Sequence, residues 1–243
     1  MDLREMAAVD LADGSVEIRP LGRDDLAWSA ALHRAQLPHG FFAQLGARYL
    51  RTYHASFITS PHALGLVAVA RGRPSGFLLA TTDGAAHYRH VLRYSGLRLI
   101  LRGALALTTR PRLLLRFVVT RARRYARGAH RLRRQHSQAP PKHGRASEVV
   151  HVAVDPACSG KGIGSALLIH AEAAVAGLGA VRMIAKTADA GGFYVSAGWV
   201  KVASKTDLEG VRHDVFKRRL DRPLASNGDR QTLPVAAAAT GLA

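Results

Sequence analysis

The chain has 243 residues, 35 Lys and Arg against 17 Asp and Glu, a hydrophobic fraction of 48% and one cysteine. That length and apolar content suit one ordinary domain with additions, or two small ones. A lone thiol, Cys158, excludes an intramolecular disulfide, and no Cys/His cluster has zinc-site spacing, so no metal is expected and a reducing, cytoplasmic setting fits best.

The N-terminus, Met-Asp-Leu-Arg-Glu, lacks the unbroken apolar core of an export signal. The most apolar stretch, 97–107, is interrupted by Arg98 and Arg102 and is far shorter than the ~20 residues that span a bilayer. The chain is expected to be cytoplasmic, at most peripheral to a membrane. Charge is concentrated: 84–147 holds fifteen Arg, one Lys and no Asp or Glu, which is +16 of the formal +18. The rest is nearly neutral, as for a specialised insertion in a conventional domain.

In chain order, 15–20 reads as a strand, and Arg23-Asp24-Asp25-Leu26 as a helix start with acids in its first turn. From 26 to 57 the apolar spacing is helical with an interruption at Pro38-His39-Gly40, so two helices are expected. The runs 64–70 and 76–82, separated by Arg71-Gly72-Arg73-Pro74, form a hairpin pattern. Residues 91–107 read as helical, with a break at 108–111. From Arg112, the residues Arg112, Arg116, Arg123, Arg127, Arg131 and Arg134 fall within about 100° of a helical wheel, opposite Leu114, Val118, Ala122, Tyr125, Ala129 and Leu132, which is a basic amphipathic helix. Then follow a strand at 148–154, a helix at 162–178, a strand at 181–186, a short helix to 197, and a closing strand pair at 199–205 and 211–219. The expected organisation is a tail at 1–14, a mixed α/β domain at 15–222 containing the insertion, and a disordered tail at 223–243.

Chemistry is concentrated in Val152-Ala153-Val154-Asp155-Pro156-Ala157-Cys158-Ser159-Gly160-Lys161-Gly162-Ile163-Gly164-Ser165. A strand runs into a loop with three alternate glycines and then into a helix, so several backbone N–H groups can converge on one anion, aided by the helix dipole. A Walker A loop is excluded, because Gly162 follows Lys161 and proline stands five residues before it. A dinucleotide fingerprint is set aside, because Ser165 stands where the third glycine should be.

Ser159-Gly160-Lys161-Gly162-Ile163-Gly164 resembles the acyl-CoA pyrophosphate loop of the GNAT superfamily of N-acetyltransferases, Gln/Arg-x-x-Gly-x-Gly/Ala, with Ser159 at the departing first position. Thr187-Ala188-Asp189-Ala190-Gly191-Gly192-Phe193-Tyr194-Val195-Ser196-Ala197-Gly198-Trp199 resembles the family's second motif at Ala190, Tyr194, Gly198 and Trp199, with Thr187 in place of the usual Asn. The resemblance covers 16–83 and 148–220. It implies a strongly twisted mixed sheet between helices and transfer of an acetyl group from acetyl-CoA to a primary amine of a small-molecule acceptor.

By the same resemblance, Ser159, Gly160, Lys161, Gly162, Ile163, Gly164 and Ser165 hold the pyrophosphate. The backbone of Val152, Ala153 and Val154 holds the pantetheine arm, with the Val154 amide as oxyanion donor. Tyr194 occupies the position of a tyrosine that protonates the departing thiolate. Glu148, fourteen residues before Gly162, has the spacing of the general-base glutamate of the histone-acetylating branch. On an alternating strand it would share a side with Val150, Val152 and Val154, and apolar neighbours would raise its pKa. His151 should point to the opposite face in a structural role, and Cys158 is expected to be inert.

The basic insertion separates the third and fourth expected strands. It fits a helical cover over the acceptor cleft, a clamp for an anionic or sugar-linked acceptor, or an anchor on an anionic membrane. Nucleic acid is the weaker partner, since no recognition motif accompanies the arginines. The other class of function is a non-catalytic acyl-CoA-binding module whose basic helix docks on membrane or nucleic acid.

Overall fold

The computed structural model describes residues 8–11, 14–38, 41–108, 115, 145–206 and 210–220. The basic helix expected over 112–134 and the tail at 223–243 lie outside the described residues. The valine- and leucine-rich runs on either side of Arg71-Gly72 form an antiparallel hairpin, β3 (Ala63–Ala70) and β4 (Arg73–Thr81). Leu64, Leu66, Ala68, Leu78 and Ala80 point to one face of the sheet, and Val67, Phe77 and Leu79 to the other. Both faces are buried, which is why these strands read as nearly continuous apolar runs.

The remaining strands extend the hairpin on both sides. They are β1 (Ala8–Leu11), β2 (Gly14–Pro20), β5 (Arg145–Val154), β6 (Ala180–Thr187), β7 (Val200–Thr206) and β8 (Arg212–Arg219). The order is β1-β2-β3-β4-β5-β6-β8-β7, antiparallel throughout except for the parallel pair β5–β6. Strand β1 lies within the expected N-terminal tail and corrects it: Ala8 to Leu11 pair with Glu17 to Gly14. Its short length and polar Asp10 give it little periodicity to detect. The insertion therefore separates the fourth and fifth strands.

One face of the sheet carries α6 (Ile163–Gly177), the crossover between the parallel strands. Ala166, Leu167, Ala171 and Val175 are buried against the hairpin. The other face carries α1 (Leu26–Gln36) and α3 (Ala47–Thr59), with Leu21, Leu32 and Phe57 against Val67, Phe77 and Leu79. A one-turn helix, α2 (Phe41–Gln44), separates α1 from α3, so the expected two helices are three. Asp25 anchors the entrance to α1: both carboxylate oxygens accept from Arg19, at 2.7 and 2.9 Å, and Oδ2 also accepts from the Gly22 amide at 2.8 Å. Those bonds hold its pKa below the ordinary value despite the opposing effect of burial.

The described part of the insertion packs outside α3. It comprises α4 (Gly84–Tyr94), capped by Asp83 accepting from the Ala86 amide at 2.9 Å, and α5 (Gly96–Thr108). The helix expected over 91–107 is thus parts of two helices, interrupted at Ser95, whose φ of -123° is not helical. Leu99 and Leu107 of α5 join Val91, Leu45 and Tyr49 in a satellite core. The short helix α7 (Gly191–Ser196) precedes the edge strand β7.

Candidate functional site

Strand β5 is paired on both edges only at Glu148 and Val149. Its parallel pairing with β6 runs from Arg145–Ala180 to Val149–Ala185 and stops there, whereas its antiparallel pairing with β4 continues to Val154. At the same point the β4–β5 register shifts: Ala80 opposes Val149 and Leu79 opposes His151, which leaves Val150 as the extra residue of a bulge. A bulge bends its strand and increases local twist, so β5 and β6 diverge into a V. The Asp155 amide donates to Ser75 O of β4 at 2.8 Å. Alternation then aims the backbone N–H and C=O groups of Val152 and Val154 away from β4, into the V.

The bulge also corrects the expected facing of Glu148. Val149, Val152 and Val154 pack on the α6 side, and Val150 and Ala153 on the α1–α3 side. Glu148 therefore does not share a side with Val152 and Val154. It sits on the α1–α3 side below the V, partly exposed, with Oε1 accepting from Lys186 Nζ at 2.7 Å. A cation, rather than valines, is its neighbour. His151 points to the α1–α3 side, opposite Val152 and Val154 as expected, but the bulge puts it on the same side as Glu148 and Val150; its Nε2 is 3.4 Å from the Tyr53 hydroxyl.

At the far end of β5 the chain makes a single 3-10 turn, Pro156–Cys158, capped by Asp155 accepting from the Ala157 amide at 3.0 Å. Cys158 is half-buried against the core. Ser159, Gly160, Lys161 and Gly162 are exposed, and Gly162 is the N-cap of α6 with φ +79°, no side chain capping the helix. Ala166 donates the first regular helical bond, to Gly162 O at 2.9 Å, so the amides of Ile163, Gly164 and Ser165 have no partner one turn back. Unpaired amides at a helix start, with the helix dipole behind them, are the kind of cradle that suits an anion, and this one lies beyond the end of β5, where the V opens.

The second motif touches the first. A Cβ on Gly164 would lie 3.0 Å from Phe193 Cε2, so a larger residue there would push the Phe193 ring back from the start of α6. The Thr187 hydroxyl accepts from the Ala190 amide at 2.9 Å, so threonine still supplies a polar cap to the turn before α7. Tyr194 is 3% exposed, its ring packed among Phe193, Trp199 and Phe216, and burial pushes its pKa up to about 12. Behind it, Glu172 of α6 accepts from Trp199 Nε1 at 2.8 Å and pairs with Arg218 at 3.4 Å. Arg218 also donates to Gly198 O at 2.8 Å, which ties α6, β8 and the α7–β7 turn together. Burial raises the Glu172 pKa, with Arg218 and Trp199 opposing the shift.

A group that sequence reasoning missed lies on the α1–α3 side. His33 Nδ1 and His54 Nε2 are 3.0 Å apart, His54 Nδ1 is 3.0 Å from the Ser29 hydroxyl, and the His33 and His151 rings are 4.4 Å apart. The signal was present: His33 falls on the stripe of Leu26, Ala30 and Leu37, and His54 on that of Leu50 and Phe57. Burial pushes His33 down to about 4 and His54 to about 3, with His33 adding to the His54 shift. An unfolded chain takes up protons on these histidines below about pH 6.5 that the folded chain refuses until the pH is much lower. Their contribution to stability is therefore complete above about 6.5 and is lost as the pH falls towards 3. Urea denaturation at pH 5.0 should give a lower midpoint than at pH 7.5, by a margin that shrinks in a His33→Gln, His54→Gln variant; an equal margin would show that other groups set the dependence.

Residues 116–201 match a family model described as an acetyltransferase (GNAT) domain. No curated protein matches the chain in sequence. Among solved structures, the PaiA N-acetyltransferase from Thermoplasma acidophilum, in complex with coenzyme A, is 13% identical with a TM-score of 0.51, covering 84% of this chain and 99% of that one. The GNAT domain of S. lividans PAT is 18% identical with a TM-score of 0.50, covering 88% and 97%. Aminoglycoside 6'-acetyltransferase type Ii is 14% identical with a TM-score of 0.50, covering 84% and 96%. At these identities the likeness is one of fold: a mixed α/β sheet flanked by helices.

Proposed function

We propose that this chain is an acetyltransferase of the GNAT superfamily, as the family-model match over 116–201 supports, and that it transfers an acetyl group from acetyl-CoA to the nitrogen of a primary amine. One observation carries the reading: the β5 bulge, the end of the β5–β6 pairing and the uncapped start of α6 follow one another along the C-terminal part of β5, in the middle of the sheet. A long, thin, anionic substrate fits that arrangement. The backbone at Ser159, Gly160, Lys161, Gly162, Ile163, Gly164 and Ser165 would bind the pyrophosphate, and the strand edge at Val152, Ala153 and Val154 the pantetheine arm.

The chemistry asks little of side chains. The amine nitrogen attacks the thioester carbonyl carbon, the Val154 amide stabilises the oxyanion, the C–S bond breaks, and the thiolate takes a proton from the Tyr194 hydroxyl. The proton lost by the amine passes to Glu148, whose carboxylate Lys186 orients from 2.7 Å. His151 supports a second assignment for that proton, because its imidazole lies on the same face one residue from Val152 and burial holds its pKa well below the ordinary value, hence neutral. The acceptor is a small anionic or sugar-linked amine, a choice that rests on the +16 of 84–147.

Thiol release from acetyl-CoA in the presence of a panel of primary amines tests the proposal. Glu148→Gln should lower kcat about 100-fold and leave the KM for acetyl-CoA unchanged. An undiminished kcat together with a loss in His151→Asn would move the proton to the imidazole. No thiol release with any amine would remove the transferase reading.

A further inference from the structure

Helix α5 is apolar on both sides. Gly96, Leu99, Gly103 and Leu107 face α3 and its satellite core, where a Cβ on Gly103 would sit 3.6 Å from the Tyr49 ring. Arg102 fastens the helix there by donating to the Thr52 hydroxyl and, at 3.3 Å, to Arg48 O. That face is accounted for. The opposite face carries Leu97, Ile100, Leu101 and Leu105, each 60–71% exposed, joined by exposed Ala104. At ~100° per residue these five side chains sweep about 140° of the helix, and the one polar residue of α5 in that arc is Thr108 at its last position, whose hydroxyl donates back to Leu105 O at 2.8 Å. Tyr94, 62% exposed, continues the patch at the end of α4, with the Arg93 guanidinium 5.5 Å from its ring centre. Exposed Arg98 borders the stripe.

A contiguous apolar face of this size marks an interaction surface. Its setting selects the partner. The insertion that bears it, 84–147, holds sixteen cations and no acid, so the partner must be apolar at the contact and negatively charged around it. A second copy would bring two +16 segments together, and a nucleic acid gains nothing from four exposed leucine and isoleucine side chains. An anionic bilayer surface meets both demands, with acyl chains for the stripe and headgroups for the arginines. No helix among the described residues is long and apolar enough to cross a membrane, so the contact is one of lying on the surface.

We propose that α5, with Tyr94, inserts its outer face into the interface of an anionic lipid bilayer and that the arginines of the insertion hold it there. The stripe supplies insertion and the charge supplies selectivity for anionic lipid, each insufficient without the other.

The full chain should co-sediment with vesicles of phosphatidylcholine and phosphatidylglycerol at least about tenfold more than with phosphatidylcholine alone, and raised salt should release it. Leu101→Glu with Leu105→Glu, and separately Leu97→Ser with Ile100→Ser, should each lower binding to the anionic vesicles about tenfold or more. These side chains are exposed, so thermal unfolding should match that of the unaltered chain. Sedimentation of the variants equal to that of the parent, or equal binding to neutral vesicles, would overturn the proposal. So would a parent dimer that either variant converts to monomer, which would assign the stripe to a second copy. So would a loss of thermal stability in both variants with no vesicle binding by the parent, which would assign it to residues 109–144. The assay needs no turnover, so its failure and that of the transferase reading are separate outcomes.

Discussion

Replacing Gly162 with valine should lower the affinity for acetyl-CoA at least tenfold. Gly162 holds φ +79° as the N-cap of α6, a conformation that costs a β-branched residue about 1–3 kcal/mol. The loop relieves that strain by rotating its peptides, which turns the amides of the cradle away from their common focus. A tenfold change in binding corresponds to about 1.4 kcal/mol, within the range the strain supplies. Gly179 provides a matched control just beyond the other end of the helix, with φ +81° and open space around its missing Cβ. Gly179→Val should carry a similar strain, lower thermal stability by a similar amount and leave acetyl-CoA affinity unchanged. Equal affinities for both variants, measured by calorimetry, would show that the loop does not bind the pyrophosphate.

Tyr194→Phe should lower kcat about 100-fold while leaving the KM for acetyl-CoA near its original value. The ring stays packed among Phe193, Trp199 and Phe216, so only the hydroxyl is lost and the fold is kept. With its pKa pushed up to about 12, the hydroxyl keeps its proton over the whole working range, as a donor to a thiolate must. The kcat profile of the parent should accordingly show no alkaline limb from this group below about pH 11. A variant with full kcat would make Tyr194 a core aromatic and nothing more. Full kcat in both Tyr194→Phe and Glu148→Gln would leave an acyl-CoA-binding chain whose proton transfers use other groups or water.

The frame of the fold was legible because each central element is amphipathic or doubly buried in its own right. The β3–β4 hairpin, β5 and α6 declare themselves by period and by turn residues, and the glycine loop is local in sequence. What escaped depends on pairing between distant segments. The bulge at Val150 is a register relation between β4 and β5, and nothing in Val149-Val150-His151 distinguishes it from a regular strand. That single extra residue moved Glu148 to the other face of the sheet from Val152 and Val154. The pairs Glu172–Trp199 and His33–His54 each join residues more than twenty apart, visible in sequence only as polar residues on apolar stripes. The break at Ser95 was hidden for the opposite reason: the apolar residues on either side of it read as one helix, and the outer face of α5 mimics a core face.

The central claim is that the V between β5 and β6, with the cradle at its mouth, is a site for acetyl-CoA. A calorimetric titration of the full chain with acetyl-CoA, at low and then at raised salt, tests it most directly. Backbone amides and an apolar strand edge bind a specific molecule, so saturable binding of one acetyl-CoA per chain should persist at raised salt. Weak, unsaturable binding abolished by salt would mean that the arginines of the insertion attract any polyanion, and the site assigned to the V would be refuted.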